Sequence, residues 1–216
     1  LIEIHNRPNY LNELVNNDRV IGGLSTICSR RAEEFYSIFI RGKCYLTNAQ
    51  TAELVKLAEN AFRDTNIAFA NEMSLVCDKL NIDVWEMINL ANLHPRVEIL
   101  KPGPGVGGHC IAVDPWFIVH SAPNQTPLIQ TSRKVNNEKP NWVVQKAMKS
   151  TKPLQNIACL GLSYKSDIDD LRESPALDIV EKLATNHSGT ILVAEPNIPQ
   201  LPKQLETYQN IDYCNF

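Results

Sequence analysis

The residue best placed for covalent chemistry is Cys110. It follows Lys101-Pro-Gly-Pro-Gly-Val-Gly-Gly108, four glycines and two prolines in eight residues. Such a segment is neither helix nor strand and must be a shaped loop. An apolar helical run over Ile111–Val119 is expected directly after it. That would put the thiol at a helix N-terminus, where unpaired N–H groups and the helix dipole favour a thiolate. The glycines also let main-chain N–H groups approach a ligand closely, as an oxyanion or phosphate requires. The competing reading is a structural thiol beside a turn. Asp114 stands four residues on, one helical turn away and on the same face. It is either a group that takes a proton or orients water near the sulfur, or an acid that complements the helix dipole ahead of Pro115. Adjacent side chains diverge, so His109 is a poor partner for its neighbour's thiol. A metal site built from His109, Cys110, Asp114 and His120 has odd spacing and no second cluster.

Two further groups carry candidate chemistry. Lys56, Asn60 and Asp64 recur every four residues, a polar row on one side of a helix. By itself that is a solvated face, but Asn60 in mid-helix has no propensity reason to be there. The second group is Ser163-Tyr-Lys-Ser-Asp-Ile-Asp-Asp-Leu-Arg-Glu-Ser-Pro175, which follows an expected strand. Ligands of open α/β sheets bind at this carboxyl edge, and Lys165 and Arg172 are its candidate anion contacts. The sequence's one literal GxGxxG, Gly103-Pro-Gly-Val-Gly-Gly108, follows no expected strand, so the dinucleotide fingerprint of a βαβ unit is absent and the chain itself carries no complete nicotinamide site.

The elements that must hold these residues follow from periodicity and punctuation. Arg19–Gly23 reads as a strand closed by a Gly pair, residues 29–40 as a helix and Cys44–Thr47 as a second strand. From Ala49 to Leu80 apolar residues recur at three- and four-residue steps (Leu54, Leu57, Ala61, Phe62, Ala68, Phe69, Met73, Val76) with no Pro or Gly. That predicts one long amphipathic helix stopped at Asn81. A short helix over Val84–Ala91 is capped by Asp83. Leu128–Asn136 and Trp142–Lys149 read as two more helices. Then Asn156–Gly161, Pro175–Thr185 and Thr190–Ala194 give strand, helix, strand, a parallel unit of the doubly wound type. Two strands cannot cover both faces of a parallel sheet, so this last domain looks cut short.

Composition narrows the class. With 216 residues, 44% of them hydrophobic and 21% charged, the chain is an ordinary globular one. A net charge of −3 without a Lys/Arg run argues against nucleic acid as a partner. No window reaches the roughly 20 apolar residues of a membrane span. Six dispersed cysteines without a CxxC pair read as reduced cytoplasmic thiols.

The segment Gly103-Pro-Gly-Val-Gly-Gly-His-Cys-Ile-Ala-Val-Asp-Pro-Trp-Phe117 resembles the active-site signature of the UDP-glucose/GDP-mannose dehydrogenase family. Its GGHC-x-x-x-DP form is similar to the branch acting on UDP-N-acetylhexosamines, as are His94-Pro-Arg-Val97 and Asn60–Glu72. The similarity is collinear from Asn17 to Asn197. It implies an α/β protein whose helical central dimerisation domain is flanked by partial Rossmann-like parallel-sheet domains. Residues 1–48 would be the tail of an NAD-binding domain, 49–150 the central domain and 153–216 an incomplete UDP-sugar domain, with the fingerprint upstream of Leu1. It further implies a homodimer, a UDP-sugar substrate and NAD as cofactor. The family oxidises the sugar's C6 alcohol to a carboxylate, with Cys110 as covalent nucleophile. Lys56 and Asn60 would stabilise oxyanion character at C6, and Asp114 would position water. By the same resemblance Lys165, Arg96, Gly107 and His109 contact substrate, and Arg172 and Gly108 face the cofactor. The family's active-site Glu would fall near Glu3, although Ile2-Glu3-Ile4 does not reproduce its Pro-Glu-Arg motif. The chain alone is expected to be inactive. The rival readings are a dimerising UDP-sugar-binding module without turnover, and a cysteine hydrolase with a distant His.

Overall fold

The computed structural model describes residues 10–214, so Glu3 lies outside the described residues. The chain divides into two compact units, residues 1–59 and 60–216.

In the first unit a helix α1 (Tyr10–Asn16) precedes β1 (Arg19–Gly23), α2 (Thr26–Tyr36) and β2 (Cys44–Asn48). β1 and β2 pair in parallel, Arg19 opposite Cys44 and Gly23 opposite Asn48. α2 starts three residues before the expected 29–40 and ends four earlier. Ser25 caps it, its hydroxyl accepting the Cys28 N–H, and that cap decides the start.

Helix α3 (Ala49–Leu80) has the expected bounds. It ends as a Schellman turn: Asn81 takes φ 55°, and the Ile82 N–H reaches the Cys77 carbonyl at 2.9 Å. The face it buries is only in part the one expected, Ala61 and Ala68 of the apolar row being inside. Ala61, Asp64, Ala68, Asn71, Ser74 and Cys77 are buried, whereas Phe62 and Phe69 are 73% and 52% exposed. Small and hydrogen-bonding residues let another helix approach closely, so the large side chains turn outward.

α4 (Val84–Ala91) has both expected ends, with the Asp83 carboxylate accepting the Trp85 and Glu86 N–H groups. The helix after the glycine loop is α5 (Asp114–Ser121), three residues later than expected. The two expected helices at 128–136 and 142–149 are one, α6 (Pro127–Ser150), which runs through Pro140. Proline cannot donate to the Asn136 carbonyl, and the glycine loop packs at this point. A Cβ on Gly105 would lie 3.3 Å from Pro140 Cγ and 3.4 Å from the Asn136 oxygen.

Among the described residues the C-terminal sheet has three strands rather than two. β3 (Ile157–Leu160), β4 (Ile191–Ala194) and β5 (Ile211–Cys214) lie in that order, all parallel, with α7 (Pro175–Asn186) crossing between the first two. β5 carries Asp212 and no uniform apolar run, which hides it from a pattern reading. Its Ile211 stands opposite Ile191 and its Cys214 opposite Ala194. The core beneath joins Leu162, Val180, Leu183, Ile191, Val193 and Leu205 to Val144 of α6.

Candidate active site

The glycine loop is held from both sides. On one side a buried polar ladder links α3 to α6. Asp64 Oδ1 accepts from Arg133 Nη1 (2.6 Å) and Asn136 Nδ2 (2.8 Å), and Asn136 Oδ1 accepts from Asn71 Nδ2 (2.9 Å). Asn71 Oδ1 then accepts the Gly103 N–H at 2.8 Å, ending the ladder on the loop's backbone. Burial raises the Asp64 carboxyl's pKa against the lowering effect of Arg133 and Asn136. The expected Lys56–Asn60–Asp64 solvated row is therefore corrected at Asp64, which faces inward to a cation.

On the other side the loop lies against the turn after β3. The Gly108 N–H donates to the Arg172 carbonyl at 3.0 Å, with Gly108 at φ 80°. A Cβ on Gly107 would stand 2.5 Å from Tyr164 Cβ and 2.6 Å from the Glu173 oxygen, so only glycine fits there. That turn is itself pinned. Glu195, at the end of β4, accepts the Leu162 (2.8 Å) and Ser163 (3.0 Å) N–H groups, and Ser174 Oγ donates to the Leu162 carbonyl (2.6 Å). Burial alone would raise the Glu195 carboxyl, yet backbone donors from Ser163, Leu162 and Asn197 hold it below the usual carboxylate range.

Cys110 is exposed at the end of this loop. It does not start a helix, as expected, but stands in the turn that leads into one. Its carbonyl accepts the Val113 (3.1 Å) and Asp114 (2.8 Å) N–H groups, and α5 begins only at Asp114. Contrary to the expected divergence, His109 Nε2 lies 3.4 Å from Cys110 Sγ. The Asp114 carboxylate accepts from Asn60 Nδ2 at 2.6 Å, across 54 residues of sequence. Two of the residues that the resemblance implies are thus in direct contact, which gives mid-helix Asn60 a partner.

The other expected site residues are more dispersed. Lys56 belongs to the first unit and is exposed, with Nζ 3.2 Å from Glu59. Arg96 is exposed in the turn after α4, where its N–H meets His94 Nδ1 at 3.3 Å. Lys165 is exposed on the turn after β3. Arg172 grips the buried Asp170 carboxylate through Nε (3.0 Å) and Nη2 (2.7 Å), so the turn's arginine is engaged by its own loop. Among the described residues no three His, Cys, Asp or Glu side chains group as metal ligands do.

Nor does the Gly22–Gly23 turn fit a dinucleotide. Gly22 and Gly23 end a strand before a helix, the position of a phosphate cradle. A Cβ on Gly22 would lie 2.5 Å from Ala52 Cβ, and the Gly23 N–H donates to Ser29 Oγ at 2.9 Å. The cradle is filled by the chain's own atoms.

Sequence reasoning missed Asn71, Arg133, Asn136 and Glu195. A signal for the first three existed: Asp64 and Asn71 are seven apart on α3, Arg133 and Asn136 three apart on α6, each spacing repeating one helix face.

The glycine loop lies between the α3–α6 helix pair and the carboxyl edge of a parallel sheet, an arrangement of two parts that sequence comparison divides in the same way. Residues 50–138 match the UDP-glucose/GDP-mannose dehydrogenase family, central domain, and residues 158–216 match the family's UDP binding domain. The chain belongs to this family. It is similar to the UDP-N-acetyl-D-mannosamine dehydrogenase of Campylobacter jejuni, 62% identical over 93% of this chain and 50% of that protein. The NDP-N-acetyl-D-galactosaminuronic acid dehydrogenase of Ralstonia solanacearum is 56% identical over 91% of this chain and 47% of its own length. Among solved structures, the UDP-D-ManNAc dehydrogenase of Pyrococcus horikoshii superposes with a TM-score of 0.84 at 38% identity, covering 98% of this chain and 54% of that one. The chain spans about half the length of the relatives it matches. No helix among the described residues is long and apolar enough to cross a membrane.

Proposed function

We propose that the chain is the catalytic and UDP-sugar-binding part of a UDP-N-acetyl-D-mannosamine 6-dehydrogenase, which oxidises the C6 alcohol to a carboxylate by loss of two hydrides. The observation that carries this reading is the Asn60–Asp114 contact at 2.6 Å, formed beside a glycine loop that ends in an exposed thiol. Residues 1–48 are read as the tail of a cofactor domain, 49–150 as the central domain and 153–216 as part of the UDP-sugar domain.

In this mechanism the Cys110 thiolate adds to the C6 aldehyde, so the half-oxidised sugar stays attached. Asn60, with Lys56 one turn earlier on α3, stabilises the oxygen that gains charge. Asp114, oriented by Asn60, positions the water that hydrolyses the thioester. Gly107 and His109 shape the substrate side of the loop, with Lys165 and Arg96 as contacts for the nucleotide sugar. Gly108 and Arg172 would face the cofactor. NAD, implied by the family, would supply the hydride acceptor; the Gly22–Gly23 turn does not form its phosphate cradle.

The named relatives act on differently configured sugars, one mannosamine and one galactosaminuronic acid. Turnover of the UDP-linked N-acetylmannosamine, N-acetylglucosamine and N-acetylgalactosamine sugars by the full-length protein ranks them; the manno sugar is expected to lead. NADH formation should vanish in Cys110→Ser, and retained oxidation would sink the covalent route. UDP-sugar binding without turnover in the full-length wild type would favour a binding module instead.

A further inference from the structure

We propose that His109 is the proton acceptor for Cys110, a catalytic residue acting on the reacting sulfur itself. The proposal rests on the reading of Cys110 as the nucleophile. His109 Nε2 stands 3.4 Å from Cys110 Sγ, inside the reach of a sulfur hydrogen bond.

Neighbouring side chains normally diverge, so something must impose this contact, and the backbone on each side does so. Before His109, the left-handed Gly108 (φ 80°) turns the chain, and its N–H is anchored on the Arg172 carbonyl at 3.0 Å. After it, the Cys110 carbonyl is fixed by the Val113 and Asp114 N–H groups at 3.1 and 2.8 Å. The dipeptide is clamped between two anchors, and the clamp turns imidazole and thiol toward each other.

Other titratable groups stand on the packed elements. Asp114 is bound to Asn60. On the turn after β3, Asp170 and Arg172 are bound to each other, Tyr164 packs at Gly107 and Gly108, and Lys165 is exposed. Because the thiol stands before α5 rather than at its first N–H groups, the helix dipole is a weaker source of thiolate here than sequence suggests. The imidazole fills that role. With its ring proton on Nδ1, His109 takes the thiol proton at Nε2: the S–H bond breaks and an N–H bond forms. The sulfur pair then makes the C–S bond to C6, and the carbonyl π pair moves to oxygen.

The test is the pH dependence of iodoacetamide modification at Cys110 in the full-length protein, read by mass spectrometry of the peptide that carries it. Wild type should react about tenfold faster than His109→Gln at neutral pH, with the inflection of the variant moved toward an ordinary thiol. Superposable profiles would overturn the proposal. If His109→Gln loses its native circular dichroism, His109→Ser is read in the same way. A wild-type inflection at the ordinary thiol value, about 8.5, overturns it without any variant. Failure here is distinct from failure of the nucleophile reading, which is decided by oxidation in Cys110→Ser.

Discussion

At the scale of single residues, the polar side chains divide into those proposed to act on the substrate and those that hold the scaffold. Cys110, His109, Asn60 and Asp114 form two contacting pairs at or beside the glycine loop. Lys139 belongs to the scaffold. It is 4% exposed, its Nζ donates to Ser74 Oγ, and it lies 4.0 Å from the centroid of the Trp142 ring. Burial pushes its pKa down from 10.5 to about 8, with Asp78 opposing. Below about 8 both folded and unfolded states hold the proton, and the folded state bears the cost of a buried cation. Between about 8 and 10.5 the folded state has released it while the unfolded state has not, so stability must rise with pH across that window. The rise is expected to reach about 3 kcal/mol. Urea denaturation of wild type and Lys139→Met at several alkaline pH values checks this, since the rise should be missing from the variant.

At the scale of elements, the α3–α6 pair and the turn after β3 act as the two jaws that fix the loop. The ladder from Asp64 to Gly103 crosses from α3 to α6 and back, and it replaces the apolar seam expected of two packed helices. A buried ladder of this kind is costly unless every member is satisfied, but it specifies one register between the helices. The second jaw can be tested at Gly107. A Cβ there meets backbone and Cβ atoms at 2.5–2.6 Å, which are not flexible side-chain ends. Gly107→Ala should therefore cost about 2 kcal/mol or more. Gly103→Ala, whose nearest neighbour would be 3.9 Å away, should stay within about 0.5 kcal/mol by the same urea titration.

At the scale of the whole molecule, the outward row on α3 stands out. Phe62, Phe69 and Val76 are exposed at seven-residue steps, with Leu80 and, on α4, Trp85 and Leu90 exposed as well. An apolar stripe of that length argues for a protein partner, and a homodimer through the central helices, which the family resemblance implies, would cover it. Phe69→Glu places a charge in the middle of the row. In sedimentation velocity the full-length protein should run as a dimer and this variant should shift toward monomer. An unchanged dimer would place the interface elsewhere.

The sequence by itself determined the long α3 with both its ends, α4 with its Asp83 cap, the β3–α7–β4 unit and the shaped loop before Cys110. These depend on local chemistry: uninterrupted helix formers, capping side chains, and glycine and proline in dense succession. Only tertiary structure decided which face of α3 is inside, that α6 continues through Pro140, that β5 adds a third strand to the sheet, and that His109 meets its own neighbour. Each of these depends on atoms distant in sequence. Asp64 and Asn71 turn inward because Arg133 and Asn136 wait on α6, and Asn60 finds Asp114 across 54 residues. Periodicity reports that a helix has two faces; which one is buried depends on what the rest of the chain brings to it.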